Sequence, residues 1–173
     1  MVRWSHLVPA GGRVLDVACG MGRHVRWFSE RNHPVSCVDR SEDAIAFIAS
    51  MAKGKPIESV LADIEKGPWP FAGSLFDAVV VTNYLWRPLL PVLVRSVAPG
   101  GVLIYETFAA GNETVGKPSR PDFLLQPGEL LSACTGLQVV AYEDGFLDPP
   151  PRFVQRIAAV RPASLEGLRR NPL

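Results

Sequence analysis

Nowhere in the 173 residues is there an apolar run long enough to span a bilayer, and the opening Met1-Val-Arg-Trp-Ser-His-Leu-Val-Pro9 lacks the continuous apolar segment of an export signal. No membrane partner and a cytoplasmic location are therefore expected. Cysteine is scarce. Cys19, Cys37 and Cys134 are odd in number and widely separated, which excludes a disulfide framework and leaves reduced, structural thiols. His6, His24 and His33 share no ligand spacing with them, so no metal site is expected. An excess of one charge is also missing: 18 basic against 17 acidic residues leave a net +1, and no overall field draws the chain to nucleic acid or lipid. There is no internal repeat, low-complexity stretch or dividing linker, so 1–173 reads as one domain with a polar tail over 161–173.

What is present is alternation. Apolar, β-branched runs at Val14–Cys19, Val35–Asp39, Ile57–Leu61, Leu75–Val81 and Val102–Phe108 are separated by segments of helical periodicity, the pattern of a parallel sheet covered on both faces. A helix opens at Gly20-Met-Gly22 and ends near Asn32. A second follows Ser41 as N-cap, with Glu42 and Asp43 in its first turn, and stops before Gly54. Leu89, Leu93 and Val97 predict a third over Trp86–Ala98, halted by Pro99-Gly-Gly101. After a loop and a short helix near Pro127–Thr135, Leu137–Phe146 and Arg152–Val160 read as a closing antiparallel pair. The expectation is an α/β fold, Rossmann-like and doubly wound, with a mostly parallel seven-stranded sheet.

Open α/β sheets bind ligands at the carboxyl ends of their strands, and the informative residues gather there. Gly20 and Gly22 remove side chains where a ligand approaches the backbone, and the helix they open presents unpaired N–H groups to a carboxylate or phosphate. Asp39 ends the second strand about 20 residues after Gly20, where a carboxylate can accept both hydroxyls of a ribose. A dinucleotide fingerprint would need a third glycine, but Val25 or Arg23 stands there, depending on register. Asp16 ahead of the turn disfavours a pyrophosphate and can instead accept hydrogen bonds from an amino group. Gly111-Asn-Glu-Thr-Val-Gly-Lys117 nearly completes a phosphate loop. Pro118 then removes the hydroxyl that would hold magnesium, and the sequon Asn112-Glu-Thr114 has no secretory context.

Val14-Leu-Asp-Val-Ala-Cys-Gly-Met-Gly-Arg-His24 resembles the first motif of class I S-adenosylmethionine-dependent methyltransferases, with Ala18 in place of the first glycine. The resemblance continues through Val38-Asp39, Ala62-Asp63, Phe76-Asp77 and Ala98-Pro-Gly-Gly-Val102 and so covers nearly the whole chain. It implies S-adenosyl-L-methionine as cofactor. The methionine part would lie along Asp16, Ala18, Cys19, Gly20 and Gly22, the ribose on Asp39 beside Arg40, the adenine amino group on Asp63 beside Ile64, with Asn83 and Tyr84 near the methyl. A closer similarity, through Ala18–His24, Glu106–Asn112 and Pro121–Leu130, is to small bacterial methyltransferases of the tellurite-resistance type, which implies a small acceptor.

Three side chains are candidate bases: Glu106, Tyr84 and His24. Trp4, Glu106, Phe108 and Phe123 are expected around the acceptor, with Ala109–Gln126 as a lid. Only 15 residues precede Asp16, leaving room for a partner subunit, as in a homodimer, to cover the site. The loop Thr82-Asn83-Tyr84-Leu85 departs from the N-P-P-Y loops of exocyclic-amine enzymes, and there is no Pro-Cys nucleophile of the cytosine C5 type. Arg152, Arg156, Arg161, Arg169 and Arg170 read as a solvated face. The reading is methyl transfer to a small molecule or oxyanion. RNA methylation, or cofactor binding without catalysis, are the alternatives.

Overall fold

The computed structural model describes residues 1–163. Strands β1 (Val14–Val17), β2 (Val35–Asp39), β3 (Ile57–Leu61), β4 (Phe76–Thr82), β5 (Val97–Phe108), β6 (Gln138–Leu147) and β7 (Arg152–Val160) form one seven-stranded sheet in the order β3-β2-β1-β4-β5-β7-β6. The first five pair in parallel, whereas β7 runs antiparallel to both β5 and β6. The order reverses beside β1, which places the crevice for a ligand at the carboxyl ends of β1, β2 and β4.

Period-two alternation sorts the core into two layers. Leu15, Val17, Val79, Val81, Leu103, Tyr105 and Ile157 pack with Leu90 and Leu93 of α3 (Leu90–Arg95) and Leu130 of α4 (Glu129–Ala133). Val14, Ala78, Val80, Val102, Ile104 and Ala158 pack on the opposite face with Trp4, with Val25 and Phe28 of α1 (Arg23–Ser29), and with Ile48 of α2 (Glu42–Met51). The α2 N-cap is Ser41, whose hydroxyl accepts from the Ala44 N–H.

Several boundaries differ from expectation. β1 ends at Val17 because Ala18 turns into the left-handed region, and α1 stops at Ser29, three residues before Asn32, which is itself left-handed. The helix expected over Trp86–Ala98 is a 3-10 turn, Arg87–Leu89, followed by α3 alone. Val97, which completes the four-residue apolar repeat, already belongs to β5 and pairs with Phe76. Pro99-Gly-Gly101 therefore lies within the strand: a Cβ on Gly101 would stand 2.9 Å from the carbonyls of Phe76 and Asp77. Of the tail expected over 161–173, only 161–163 are described, and Arg161 there donates to the Val94 carbonyl in the last turn of α3 and to the Val97 carbonyl at the start of β5. Arg169 and Arg170 lie outside the described residues.

Candidate active site

The loop from Ala18 to Gly22 is built by backbone rather than by side chains. Ala18 (φ +52°), Gly20 (+51°) and Gly22 (+71°) are all left-handed, so the chain leaves β1, reverses and enters α1 within five residues. The two glycines serve different ends. A Cβ on Gly22 would meet Ile48 Cγ1 at 2.8 Å and Met51 Cε at 2.9 Å, so this residue lets α2 close on the loop, whereas a Cβ on Gly20 would meet nothing within 4 Å. The space over Gly20 is open to a ligand. Its N–H donates to Asp39 Oδ2 at 2.7 Å and the Ser41 N–H donates to Oδ1 at 2.9 Å, so two amides aim the Asp39 carboxylate while leaving lone pairs on each oxygen.

Beside it lies a cleft of about 400 Å³, within the range of small-molecule sites. Of the expected cofactor residues, Ala18, Asp39, Arg40, Asp63, Ile64, Asn83 and Tyr84 line it, and Glu65 joins them. Asp16 lies in β1 ahead of the loop and Cys19, Gly20 and Gly22 belong to the loop itself; none of the four is in the cleft wall. The Asp63 carboxylate is aimed by the Glu65 N–H (3.0 Å). Phe108 and Phe123, two of the four expected acceptor residues, also line it. The Tyr84 hydroxyl is buried without a partner, and burial, with Glu65 nearby, pushes it above the ordinary phenol range; it is not a base near neutral pH.

The segment Ala109–Gln126, expected as a lid, is anchored by a residue that the sequence did not single out. Arg87 donates through Nε and Nη2 to both oxygens of Glu129 (2.7 and 3.0 Å), and to the carbonyls of Asp122 (2.9 Å) and Leu124 (2.8 Å). Buried Asn112 holds the other end, donating to the Pro118 carbonyl and accepting from the Phe153 N–H. Pro118 and Phe123 are thereby held over the cleft.

The remaining acceptor candidates, Trp4 and Glu106, line a second cleft of about 520 Å³ together with His24. Position along β5 accompanies the division: Ile104, Tyr105 and Glu106 line the second cleft with Thr82, whereas Thr107 and Phe108, further along the strand, line the first. Thr82, Glu106, Arg156 and Glu143 stand opposite one another across β4, β5, β7 and β6, a single row of the sheet. Arg156 donates to Glu106 (2.7 Å) and to Glu143 (3.1 Å), and Arg3 donates to the far side of Glu143 (2.9 Å). Arg156 is thus not the solvated charge expected, and its bond engages the Glu106 carboxylate. The N-terminal turn Val2–Leu7 packs Trp4 into the core at the rim of this cleft.

Between the clefts lies Asp16, 1% exposed, with neither carboxylate oxygen hydrogen-bonded; the nearby Val25 N–H falls short of bonding geometry. Burial raises its pKa to about 7, against smaller opposing effects of that N–H and of Arg23. His24 Nδ1 stands 4.0 Å from Asp16 and 3.5 Å from Thr82 Oγ1. This is not a charged pair, because burial holds the imidazole down to about 4 and keeps it neutral. Among the described residues no three His, Cys, Asp or Glu side chains gather to hold a metal, and no helix is long and apolar enough to cross a membrane.

The profile of a family described as "Methyltransferase domain" matches residues 14–101, half of the chain. The chain belongs to this family. A malonyl-[acyl-carrier protein] O-methyltransferase of Serratia marcescens is 32% identical over an aligned stretch of 108 residues that covers 59% of this chain but only 40% of that protein. The fold of the chain is shared with TehB from Haemophilus influenzae (TM-score 0.75, 21% identity, 92% of this chain and 60% of that one). A similar match is an S-adenosylmethionine dependent methyltransferase from Mesorhizobium loti (TM-score 0.71, 18% identity, 92% and 96% covered). The expected architecture, a mostly parallel seven-stranded sheet closed by an antiparallel pair, is the one observed, and the fold is shared with these solved structures.

Proposed function

We propose that this methyltransferase uses S-adenosylmethionine to methylate a small molecule by in-line transfer. The observation that carries the reading is the Asp39 carboxylate, aimed by the Gly20 and Ser41 amides at the rim of the 400 Å³ cleft. The residues fit this cofactor: open space over Gly20 admits its approach to the loop, Asp39 suits ribose hydroxyls, Asp63 suits the adenine amino group, and the unpartnered carboxyl of Asp16 answers an ammonium. When bound, S-adenosylmethionine supplies an electrophilic methyl on a sulfonium whose thioether leaves without needing an acid. The protein's task is positioning and exclusion of water. Arg87 and Asn112 hold the segment over the cleft for that purpose.

Calorimetry with S-adenosylhomocysteine tests the site. Asp39→Ala is expected to weaken binding about 100-fold, the loss of a charge-assisted pair of bonds; equal affinity in the variant would sink the assignment. Incubation with methyl-labelled cofactor and a metabolite extract should label a small product. Label in RNA would replace the acceptor class, and binding without any product would favour a cofactor-binding protein that has lost catalysis.

A further inference from the structure

We infer that the second cleft is the acceptor site, that it takes a small hydroxylated acid, and that His24 accepts the hydroxyl proton while Arg23 holds the acid group. The inference rests on the methyltransferase reading above and names its substrate class.

The cleft has a body and two charged ends. Trp4, Trp27 and Ile104 give it an apolar floor for a flat or aliphatic skeleton. Its two glutamates are already answered, Glu106 by Arg156 and Glu143 by Arg156 and Arg3. Among the described residues Arg23 makes no hydrogen bond or ion pair. It is the guanidinium left for a carboxylate, and it stands at the first position of α1, directly after the glycine loop.

Elimination assigns the base. Glu106 is bonded to Arg156 at 2.7 Å and Tyr84 belongs to the other cleft, which leaves His24. Its Nδ1 is turned to Thr82 Oγ1 and Asp16, so Nε2 is the nitrogen free for a ligand. The groups around the ring are Asp16 of β1, Thr82 of β4, Glu106 of β5, Arg156 of β7, Arg23 of its own helix and the Met1 amino group. Burial leaves the imidazole unprotonated and able to take a proton but also weakens it as a base. The Asp16 carboxyl, 4.0 Å from Nδ1, is the group that would stabilise the imidazolium as it forms. A hydroxyl is the acceptor that benefits, since it must lose its proton to become a nucleophile. The acceptor oxygen forms its bond to the methyl carbon as the carbon–sulfur bond breaks with its electron pair going to sulfur. The hydroxyl proton passes to His24 Nε2 and then to solvent.

The probe is 4-hydroxybenzoate, which carries both groups on a flat ring. With labelled methyl donor, the full chain should methylate its phenolic oxygen. His24→Gln is expected to lower kcat about 100-fold, the contribution of one general base, with S-adenosylhomocysteine affinity unchanged. Arg23→Gln should raise KM for the acid about tenfold and leave kcat intact. In the unmutated protein, ¹⁵N spectra should show 4-hydroxybenzoate moving the His24 ring and Trp4 indole signals, a readout that does not depend on a variant folding. The inference is overturned if these signals stay still, if the probe is not methylated, or if His24→Gln retains the wild-type rate. It also fails if either variant weakens S-adenosylhomocysteine binding, which would make the cleft part of the cofactor site. Failure of the unmutated chain to bind S-adenosylhomocysteine at all would instead remove the methyltransferase reading beneath it.

Discussion

The two clefts share one sheet edge but are made of different material. The first is shaped by backbone: three left-handed residues, two amides aiming one carboxylate, and acids at the ends of consecutive strands. The second is shaped by side chains: Thr82, Glu106, Arg156 and Glu143, which strand register brings into one row, with Arg3 of the N-terminal turn and His24 of α1. A site shaped by backbone tolerates exchange of its side chains, while a side-chain site can be rewritten one residue at a time. Substitutions should therefore act on folding and cofactor in the first cleft, and on the acceptor and on charge balance in the second.

The sharpest contrast lies within the glycine loop. Gly22→Ala adds a Cβ 2.8 Å from Ile48 Cγ1 at a residue with φ +71°, combining overpacking with left-handed strain. A loss of about 3 kcal/mol in unfolding free energy is expected in urea titration. Gly20→Ala meets open space and bears only the left-handed cost, about 1 kcal/mol, yet it places a methyl where the ligand approaches the loop. It should fold and bind S-adenosylhomocysteine at least about tenfold more weakly. Equal stabilities for the two variants would erase the distinction between packing and ligand glycines.

The boundary between the clefts titrates in two opposite senses. Asp16 is raised to about 7, so between about pH 4 and 7 the folded chain keeps a proton that the unfolded chain releases, and stability falls as pH rises. His24 is lowered to about 4, so between about pH 4 and 6.5 the unfolded chain binds a proton that the folded one refuses, and stability rises with pH. The two slopes offset each other in the wild type up to about pH 6.5. Asp16→Asn should leave the rising slope, making the variant on the order of 2 kcal/mol more stable than wild type at about pH 8. His24→Gln should leave the falling one. Denaturant midpoints at about pH 4.5, 6 and 8 measure both, and slopes of the same sign in the two variants would refute the assignment. S-adenosylhomocysteine, whose ammonium favours ionised Asp16, should bind more tightly as pH rises through about 7, releasing a proton detectable from the buffer dependence of binding heat.

The same difference in material explains what could be read from the chain. Glycines, strand-end acids and apolar alternation are local signals, so the strands β2, β3 and β7 and the residues around Asp39 and Asp63 were legible. The third helix was misjudged because a four-residue apolar spacing ignores whether Val97 is buried by a helix or by pairing with Phe76. Arg87 and the Thr82-Glu106-Arg156-Glu143 row were invisible for a different reason. Their partners lie 13 to 50 residues away, and nothing local marks an arginine that will meet a carboxylate across a sheet. Glu106 stands among the candidate bases by its place at the end of a strand, but nothing local reveals its bond to Arg156, and that bond changes what the carboxylate can do.

Arg87 offers the next effect in size. Arg87→Leu removes the bonds to Glu129, Asp122 and Leu124 at a half-buried position, and should cost about 2 kcal/mol in stability. It should also speed S-adenosylhomocysteine dissociation in stopped flow by releasing Pro118 and Phe123 from the cleft. An unchanged off-rate would mean that the segment is not a lid.

The smallest effect probes the row itself. Arg156, Glu106 and Glu143 are 29%, 20% and 41% exposed, so solvent screens their attraction. Removing Arg156 as Arg156→Gln leaves two glutamates flanking a neutral residue, and a loss of about 1 kcal/mol is expected, shrinking in high salt. Glu143→Gln should cost less than about 0.5 kcal/mol, because the more exposed end of the row is the more screened. If Glu106 is held by Arg156 through direct pairing, the double variant Glu106→Gln/Arg156→Gln should lose less than the sum of its single variants, with a coupling of about 0.5 to 1 kcal/mol. Additive losses would mean that each residue merely packs, and the second cleft would then be shaped by volume, as the first is by backbone, rather than by charge.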